Sequence, residues 1–216
     1  NPQITFFKVV YRRHTNFSME AIQQTFNGTV SASSRVSATI SRNGDLVHDM
    51  YIKIKAGAAV VAASGDNTGH NMLDNIEVEI GGQQIDKHYG HWMEVYAQLT
   101  EPNPGNVAPS AVADTPPAGH TKFQRMALAG GVNDGGTTVT LENSHWVPLR
   151  FWFCRNPGLA LPLIALQYHE VKINITFSAC LGTGSDTLDD SGNLTLWANY
   201  VYLDTDERRR FAQVSH

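Results

Sequence analysis

The sequence predicts an all-β protein, an antiparallel jelly-roll β-sandwich of about eight strands with one short helix and long surface loops. The first observation is an alternation of apolar and polar residues in several short segments, which is typical of half-buried strands. The second is the abundance of turn-forming residues, with 18 Gly and 9 Pro among 216 residues. The third is that helical spacing of apolar residues is scarce. Long excursions between the strands favour a sandwich or jelly roll over a meander barrel.

The N-terminal half contains the first predicted strands. They cover Ile4 to Tyr11, Met19 to Phe26, Arg35 to Ile40 and Met50 to Lys55. A β-hairpin follows, because Ile76, Val78 and Ile80 alternate with glutamates and Gly81-Gly82 offers the positive φ angles of a tight turn. We expect these segments to form antiparallel sheets.

One helix is predicted, in the segment GHWMEVYAQLT. Its apolar residues recur at helical spacing: Trp92, Val95, Tyr96 and Leu99. Pro102 ends the pattern. The next segment, 101–136, is rich in Pro, Gly and Ala and lacks periodicity, so we expect a long surface excursion. The whole chain, 1–216, is expected to be a single jelly-roll domain.

Three further strands are predicted toward the C terminus, at 147–153, 171–177 and 194–203. The first should have both faces covered, because aromatic residues occur on both sides of it. On one side are Val147, Leu149, Phe151 and Phe153, and on the other Trp146, Arg150 and Trp152. This strand opens the apolar segment from Leu149 to Phe177, which raises the question of what its surface contacts.

Charge and hydropathy exclude two classes of partner. The net charge is -4 and the basic residues are dispersed, apart from Arg12-Arg13 and the run Arg208, Arg209 and Arg210, so direct nucleic-acid binding is disfavoured. No uninterrupted apolar run reaches the roughly 18 residues of a membrane span, so no membrane insertion is predicted. Cys154 and Cys180 lie in apolar segments, where a free cysteine acts as a small hydrophobe.

The candidate chemistry is sparse. His88, His91 and Glu94 are spaced three apart and could share a metal on one helix, but Gly90 interrupts the pattern and favours surface or packing histidines. The chain has no G-x-S-x-G nucleophile motif, no phosphate-binding glycine loop and no zinc-finger spacing. We therefore expect no enzyme activity, no metal and no cofactor.

Four sequons provide candidate glycosylation sites. They begin at Asn16, Asn27, Asn174 and Asn193. They would matter only in a secretory glycosylation system, and chance occurrence is the simpler interpretation.

Four long blocks identify a family. They are NPQITFFKVVYRRHTNFSMEAIQQTF, IEVEIGGQQIDKHYGHWMEVYAQLT, PLRFWFCRNPGLALPLIALQYHEVKI and LWANYVYLDTDERRRFAQVSH. They resemble the major capsid proteins of large eukaryotic double-stranded DNA viruses, the phycodnavirus, iridovirus and giant-virus group. The resemblance runs from Asn1 to His216 in the same order, and segment 101–136 departs most from it.

The resemblance implies a structural virion protein. Family members carry two successive jelly rolls, of which this chain resembles the first, and three copies form a pseudo-hexagonal capsomer. Capsomers tile an icosahedral shell around an internal membrane and the genome. The implied partners are further copies of the protein and minor capsid proteins, and the implied locations are the virion and, during assembly, the host cytoplasm.

The resemblance also gives the apolar segment from Leu149 to Phe177 a role. Part of it would fill the sandwich, and the remaining side chains, Trp152, Leu159 and Leu163, would contact the second jelly roll or neighbouring subunits. Arg208, Arg209 and Arg210 are interpreted as salt-bridged surface with a further candidate interface role. Jelly rolls also occur as carbohydrate-binding modules or minor capsid proteins, and Trp92, Tyr96 and Trp146 would be the sugar-stacking candidates of that alternative.

Overall fold

The computed structural model describes residues 15–60, 67–102, 121–132, 139–141, 143–181 and 193–213. The strands are β1 (Phe17–Gln24), β2 (Phe26–Asn27), β3 (Arg35–Thr39), β4 (Leu46–Ile54), β5 (Ala59–Val60), β6 (Leu73–Ile80), β7 (Gln83–Tyr89), β8 (Val139–Thr140), β9 (His145–Pro148), β10 (Leu161–Pro162), β11 (Val171–Phe177) and β12 (Leu194–Leu203). The helices are α1 (Thr68–Asn71), α2 (Gly90–Thr100), α3 (Lys122–Ala127), α4 (Trp152–Arg155) and α5 (Thr205–Gln213).

Within these residues, two five-stranded antiparallel sheets form the sandwich. The first sheet has the order β1-β12-β4-β10, and β9 also pairs with β4. The second sheet has the order β2-β3-β11-β6-β7. Each sheet therefore combines strands from both ends of the chain, which is the jelly-roll connectivity and confirms the predicted fold class. The small pair β5-β8 lies outside both sheets.

The core lies between the two sheets and follows from the alternation in the strands. Ile52 and Leu196 of the first sheet and Ile76 and Ile173 of the second are each 0% exposed. Burial of each such side chain contributes about 1.5 to 3 kcal/mol, so the apolar stripes of the strands supply much of the driving force for folding.

The predicted hairpin and helix are confirmed. Gly81 and Gly82 connect β6 to β7 with φ angles of 61° and 85°, a conformation that favours glycine. The helix α2 covers the segment with helical spacing. The strand expected at Ile4 to Tyr11 lies outside the described residues. The other predicted strands are present with shifted bounds, except that only the first two residues of the one at 147–153 are strand.

The strand predicted at 147–153 is too long. It ends at Pro148, which pairs with Tyr51 but has no backbone N–H with which to continue a ladder. Residues 152–155 then form α4. Phe151 and Phe153 both remain buried although the strand has ended. Their rings stack on each other with a centroid separation of 5.6 Å.

The expectation of a surface excursion over 101–136 is wrong for residues 121–132. Thr121 caps α3 through a reciprocal capping box with Gln124. Phe123, Ala127 and Ala129 are buried in a cluster with Ala97 of α2, so this segment covers one end of the sandwich. Residues 103–120 and 133–138 lie outside the described residues.

The sequence predicted one helix, and the described residues contain five. The additional helices α1, α3 and α4 are only four to six residues long, too short for a periodic apolar stripe. The helix α5 has no buried residue, and its acidic first turn and basic last turn match the helix dipole. Periodicity therefore could not reveal any of them.

Candidate assembly surfaces

Most of the large aliphatic and phenylalanine side chains between Leu149 and Phe177 are buried, whereas residues 155–159 and 167–170 are exposed. Leu149 and Leu161 are 1% and 5% exposed. Leu163 is 3% exposed and belongs to the main core cluster, so the prediction that it is left over for an interface is wrong. The reason is the short strand β10, which pairs with β4 and thereby holds Leu161 and Leu163 against the core.

The other two predicted contact residues of this segment are accessible to different extents. Trp152 is half-buried and packs edge-on against Phe153, with ring centroids 5.1 Å apart. Leu159 is 52% exposed at the end of a short 3-10 turn. The side chain of Asn156 fixes this turn by accepting a hydrogen bond of 2.9 Å from the backbone N–H of Gly158. Leu159 is therefore an apolar side chain held outward by a defined turn.

The arginine run anchors the C-terminal helix to the sandwich. Arg208 Nε donates to Asp45 Oδ1 over 2.8 Å, while the backbone N–H of Leu203 donates to Asp45 Oδ2 over 2.8 Å. Asp45 is 3% exposed. Arg210 makes a looser pair of 3.9 Å with Glu207. The structure leaves Arg208, Arg209 and Arg210 on an exposed surface, with Arg208 also serving the fold.

His88, His91 and Glu94 do not converge on a metal. His91 is exposed, His88 is buried at the end of β7, and Glu94 accepts a hydrogen bond of 2.6 Å from Nδ1 of His70 in α1. Among the described residues, no group of three His, Cys, Asp or Glu side chains is placed to hold a metal ion. The helix α2 begins at Gly90, so His88 belongs to β7 whereas His91 and Glu94 belong to the helix, as the interruption at Gly90 predicted.

Glu94 joins three segments of the chain at this end of the sandwich. Its Oε2 accepts from His70 and from the backbone N–H of Gly130, at 2.6 and 3.0 Å, and its Oε1 accepts from Gln98 at 3.0 Å. Burial alone would raise the pKa of Glu94, but these hydrogen bonds outweigh it and lower the pKa to about 2. The carboxylate is therefore a structural acceptor, and its partners His70 and Gly130 are too distant in sequence for local spacing to indicate them.

His88 is a packing histidine. Its ring lies 4.6 Å from the ring of Phe151 and 5.5 Å from that of Trp92, measured between centroids. Burial, reinforced by the positive charge of Arg155 and by His70, lowers the pKa of His88 from 6.5 to about 4. The imidazole is therefore neutral at pH 7.

The tryptophans considered for sugar stacking already have cationic partners. The guanidinium of Arg155 lies over the Trp92 ring at 5.1 Å and over the Tyr96 ring at 5.4 Å. The Lys53 ammonium lies over the Trp146 ring at 5.2 Å. Each of these cation–π contacts occupies one face of its ring.

Cys154 is not a reactive thiol. Burial is the main cause that raises its pKa to about 12, with the nearby Asp49 carboxylate adding to it. The thiol is thus protonated at neutral pH. The side chain of Cys180 lies outside the described residues.

The candidate glycosylation sites differ in access. Asn174 is 8% exposed, and its Nδ2 donates to Glu79 Oε2 over 3.2 Å on the outer face of the second sheet. A glycan on this nitrogen would disrupt that contact, so the Asn174 candidate is wrong. Asn16 and Asn27 are exposed and Asn193 is half-buried.

Hydropathy of the described helices excludes one type of membrane element. None of them combines the length and apolar character that a bilayer-crossing helix needs.

The chain matches known proteins over its full length. The family model described as the major capsid protein N-terminus matches residues 5–204. The major capsid protein of Pyramimonas orientalis virus is 49% identical, with 100% of this chain covering 52% of that protein. That of Paramecium bursaria Chlorella virus 1 is 41% identical, with 100% of this chain covering 47% of it. The chain thus spans about half the length of these relatives.

Solved structures agree with the sequence comparison. A quasi-atomic model of the PBCV-1 virus capsid matches with a TM-score of 0.70 and 38% identity, covering 97% of this chain and 48% of the other. The Faustovirus major capsid protein matches with a TM-score of 0.58 at 13% identity, which supports the fold alone. The family match over residues 5–204, the viral relatives and the jelly-roll topology lead to one conclusion: this chain belongs to the major capsid protein family, in which it corresponds to the N-terminal part.

Proposed function

We propose that this chain is the N-terminal jelly roll of a major capsid protein that builds the shell of a large double-stranded DNA virus. The observation that carries the proposal is the coverage, since the whole chain aligns with about half of relatives that are themselves named major capsid proteins. The full subunit would contain a second jelly roll. Three subunits would form a pseudo-hexagonal capsomer, and capsomers would tile an icosahedral shell.

The physical character of the chain supports a building block rather than an enzyme. The titratable groups Asp45, Glu94 and His70 serve hydrogen bonds within the fold. Two packed sheets with a continuous apolar core make a stiff unit. Stiffness is what a closed shell requires, because each contact must repeat with the same geometry many times.

Exposed side chains supply the candidate contacts between domains or subunits. Leu159 and the half-buried Trp152 are apolar candidates, and Arg208, Arg209 and Arg210 are charged ones. Permanent interfaces combine an apolar centre with a polar rim, and these residues offer both kinds of group. Minor capsid proteins are further proposed partners, with the virion as the final location and the host cytoplasm as the place of assembly. The shell would lie over an internal membrane without inserting into it and without direct contact with nucleic acid.

The test is the native mass and shape of the full-length protein. We expect a species of three subunits by light scattering and three-fold particles with a hexagonal outline by electron microscopy. Leu159→Asp should shift the population toward monomer, whereas Ile85→Asp, at a side chain of similar exposure on β7, should not. A wild-type protein that stays monomeric at all concentrations would overturn the proposal and favour the minor capsid or carbohydrate-binding alternative.

A further inference from the structure

The outer face of the first sheet carries two groups of apolar side chains, with the polar pair Asn199 and Asp49 between them. Directly paired residues of antiparallel strands lie on the same face. Phe17 pairs with Leu203 and Met19 with Val201, while the adjacent Tyr200 of β12 is 0% exposed and points into the core. These four side chains therefore point outward. Phe17 and Met19 remain 64% and 52% exposed on the edge strand β1.

The same face continues into an aromatic group. Trp197 pairs with Tyr51 across β12 and β4, and Trp146 pairs with Lys53 across β9 and β4. The Trp146 ring meets Trp197 at 5.7 Å and Tyr51 at 6.4 Å, both edge-on, and Lys53 lies over both indoles. All four side chains are half-buried, so they still present surface to the outside. We call the surface from Phe17 to Trp146 the first-sheet face.

The outer face of the second sheet is different in kind. Glu77 accepts from Arg35 at 2.6 Å and pairs with Lys87 at 3.0 Å, and Asn174 bonds Glu79. Its charges are paired with one another across the strands, as suits a face in water. Apolar side chains as exposed as Phe17 and Met19, together with the aromatic group on the same face, are unusual for a surface that remains in water and indicate a protein contact.

The chain direction brings the C-terminal end of the described residues to the edge of the first-sheet face. The strand β12 ends at Leu203 beside Phe17, and Asn16 Nδ2 reaches Asp204 Oδ2 at 3.4 Å. The helix α5 follows at once, held by the contact between Arg208 and Asp45. A domain attached after α5 is tethered at the corner of this face, and a tether gives an effective concentration on the order of millimolar that a separate subunit lacks.

We propose that the first-sheet face is the docking surface for the second half of the same polypeptide, the part that relatives of twice this length carry beyond the matched region. This rests on the proposed function, because it requires the second domain. The partner is thus intramolecular, and its contacting surface is apolar, with acceptors that can reach Lys53.

Methionine oxidation of the full-length protein tests whether the face is covered. The chain offers internal references, since Met50, Met72 and Met93 are at most 1% exposed in the core. With dilute peroxide and site-by-site mass spectrometry, Met19 should oxidise more slowly in the folded protein than in urea, as the core methionines do. Met19 that oxidises in the folded trimer as fast as in urea would overturn the docking surface and leave the proposed function standing.

Photo-crosslinking identifies the occupant. Benzoylphenylalanine replacing Phe17 keeps an aromatic side chain on β1, and the same residue replacing Tyr168, which is 94% exposed, is the matched control. A crosslink from position 17 to residues beyond 216, in a product of single-subunit mass on a denaturing gel, supports the proposal. A product of double mass would assign the face to another copy, and no crosslink would leave the face open; either result overturns the proposal. Native mass on the same sample separates these outcomes from failure to form the trimer.

Discussion

Acidification from pH 7 to pH 5 should destabilise the sandwich through a single buried side chain, His88. Its pKa is lowered to about 4 in the folded chain against 6.5 in an exposed position, because burial and the nearby Arg155 disfavour the imidazolium. Between these two values the unfolded chain binds a proton that the folded chain does not. Stability therefore rises with pH across this window, is fully regained above pH 6.5 and is lowest at and below pH 4.

The magnitude follows from the two pKa values. Linkage gives a loss of about 2 kcal/mol in the free energy of unfolding between pH 7 and pH 5 from this residue alone. That is a large part of the margin of a typical domain, which is about 5 to 15 kcal/mol. The loss is coupled to the packing of His88 on Phe151 and Trp92, so it acts at the end of the sandwich that α2 covers.

Urea unfolding followed by tryptophan fluorescence at pH 5 and pH 7 measures the effect. His88→Gln should reduce the difference in the free energy of unfolding between pH 7 and pH 5 by about 2 kcal/mol. This expectation does not depend on how the substitution changes stability at pH 7. His91→Gln, an exposed histidine three residues further on, should behave like the wild type. If His88→Gln retains the wild-type pH dependence to within about 0.5 kcal/mol, the reasoning from burial is refuted.

Two further predictions concern packing. Gly69→Ala should prevent stable folding, because a Cβ there would lie 1.8 Å from the backbone oxygen of Ala127. Gly158→Ala should be tolerated, since a Cβ at that position meets no atom closer than 3.4 Å. Melting followed by circular dichroism compares the two variants, and equal melting temperatures would contradict the close approach at Gly69. Leu163→Ala should lower the free energy of urea unfolding by about 2 to 5 kcal/mol through a core cavity. Leu159→Ala, at an exposed side chain, should change the free energy of unfolding by less than about 0.5 kcal/mol. Similar losses in the two variants would mean that Leu163 is not part of the core.

The two leucines also illustrate where sequence interpretation ends. Leu159, Leu161 and Leu163 lie two residues apart, and alternation on one strand would put all three on the same face. The 3-10 turn at Pro157–Leu159 removes Leu159 from that pattern, and the pairing of Leu161 with Val47 holds the following residues inward. A turn and a remote strand decide these positions, and neither appears in the local spacing.

Glu94 shows the same limit for the candidate metal site. The spacing of His88, His91 and Glu94 suggested convergence, but the carboxylate bonds His70 and the Gly130 backbone, which are remote in sequence. The sequence signal for α3 was equally weak. This helix has only six residues, and the buried ones cluster with Ala97 of α2, which is remote in sequence.

The fold class, most of the strands, the β6-β7 hairpin, the helix α2 and the family follow from the sequence alone. These features depend on local alternation, on glycine at positive φ and on long matching blocks, all of which are properties of consecutive residues. The folded structure was needed to show that Leu163 is core, that Glu94 and Asp45 accept hydrogen bonds within the fold, and that the first sheet exposes apolar side chains on its outer face. Each of these depends on strand register or on contacts between distant segments, because a side chain's surroundings are set by the neighbours that folding brings to it.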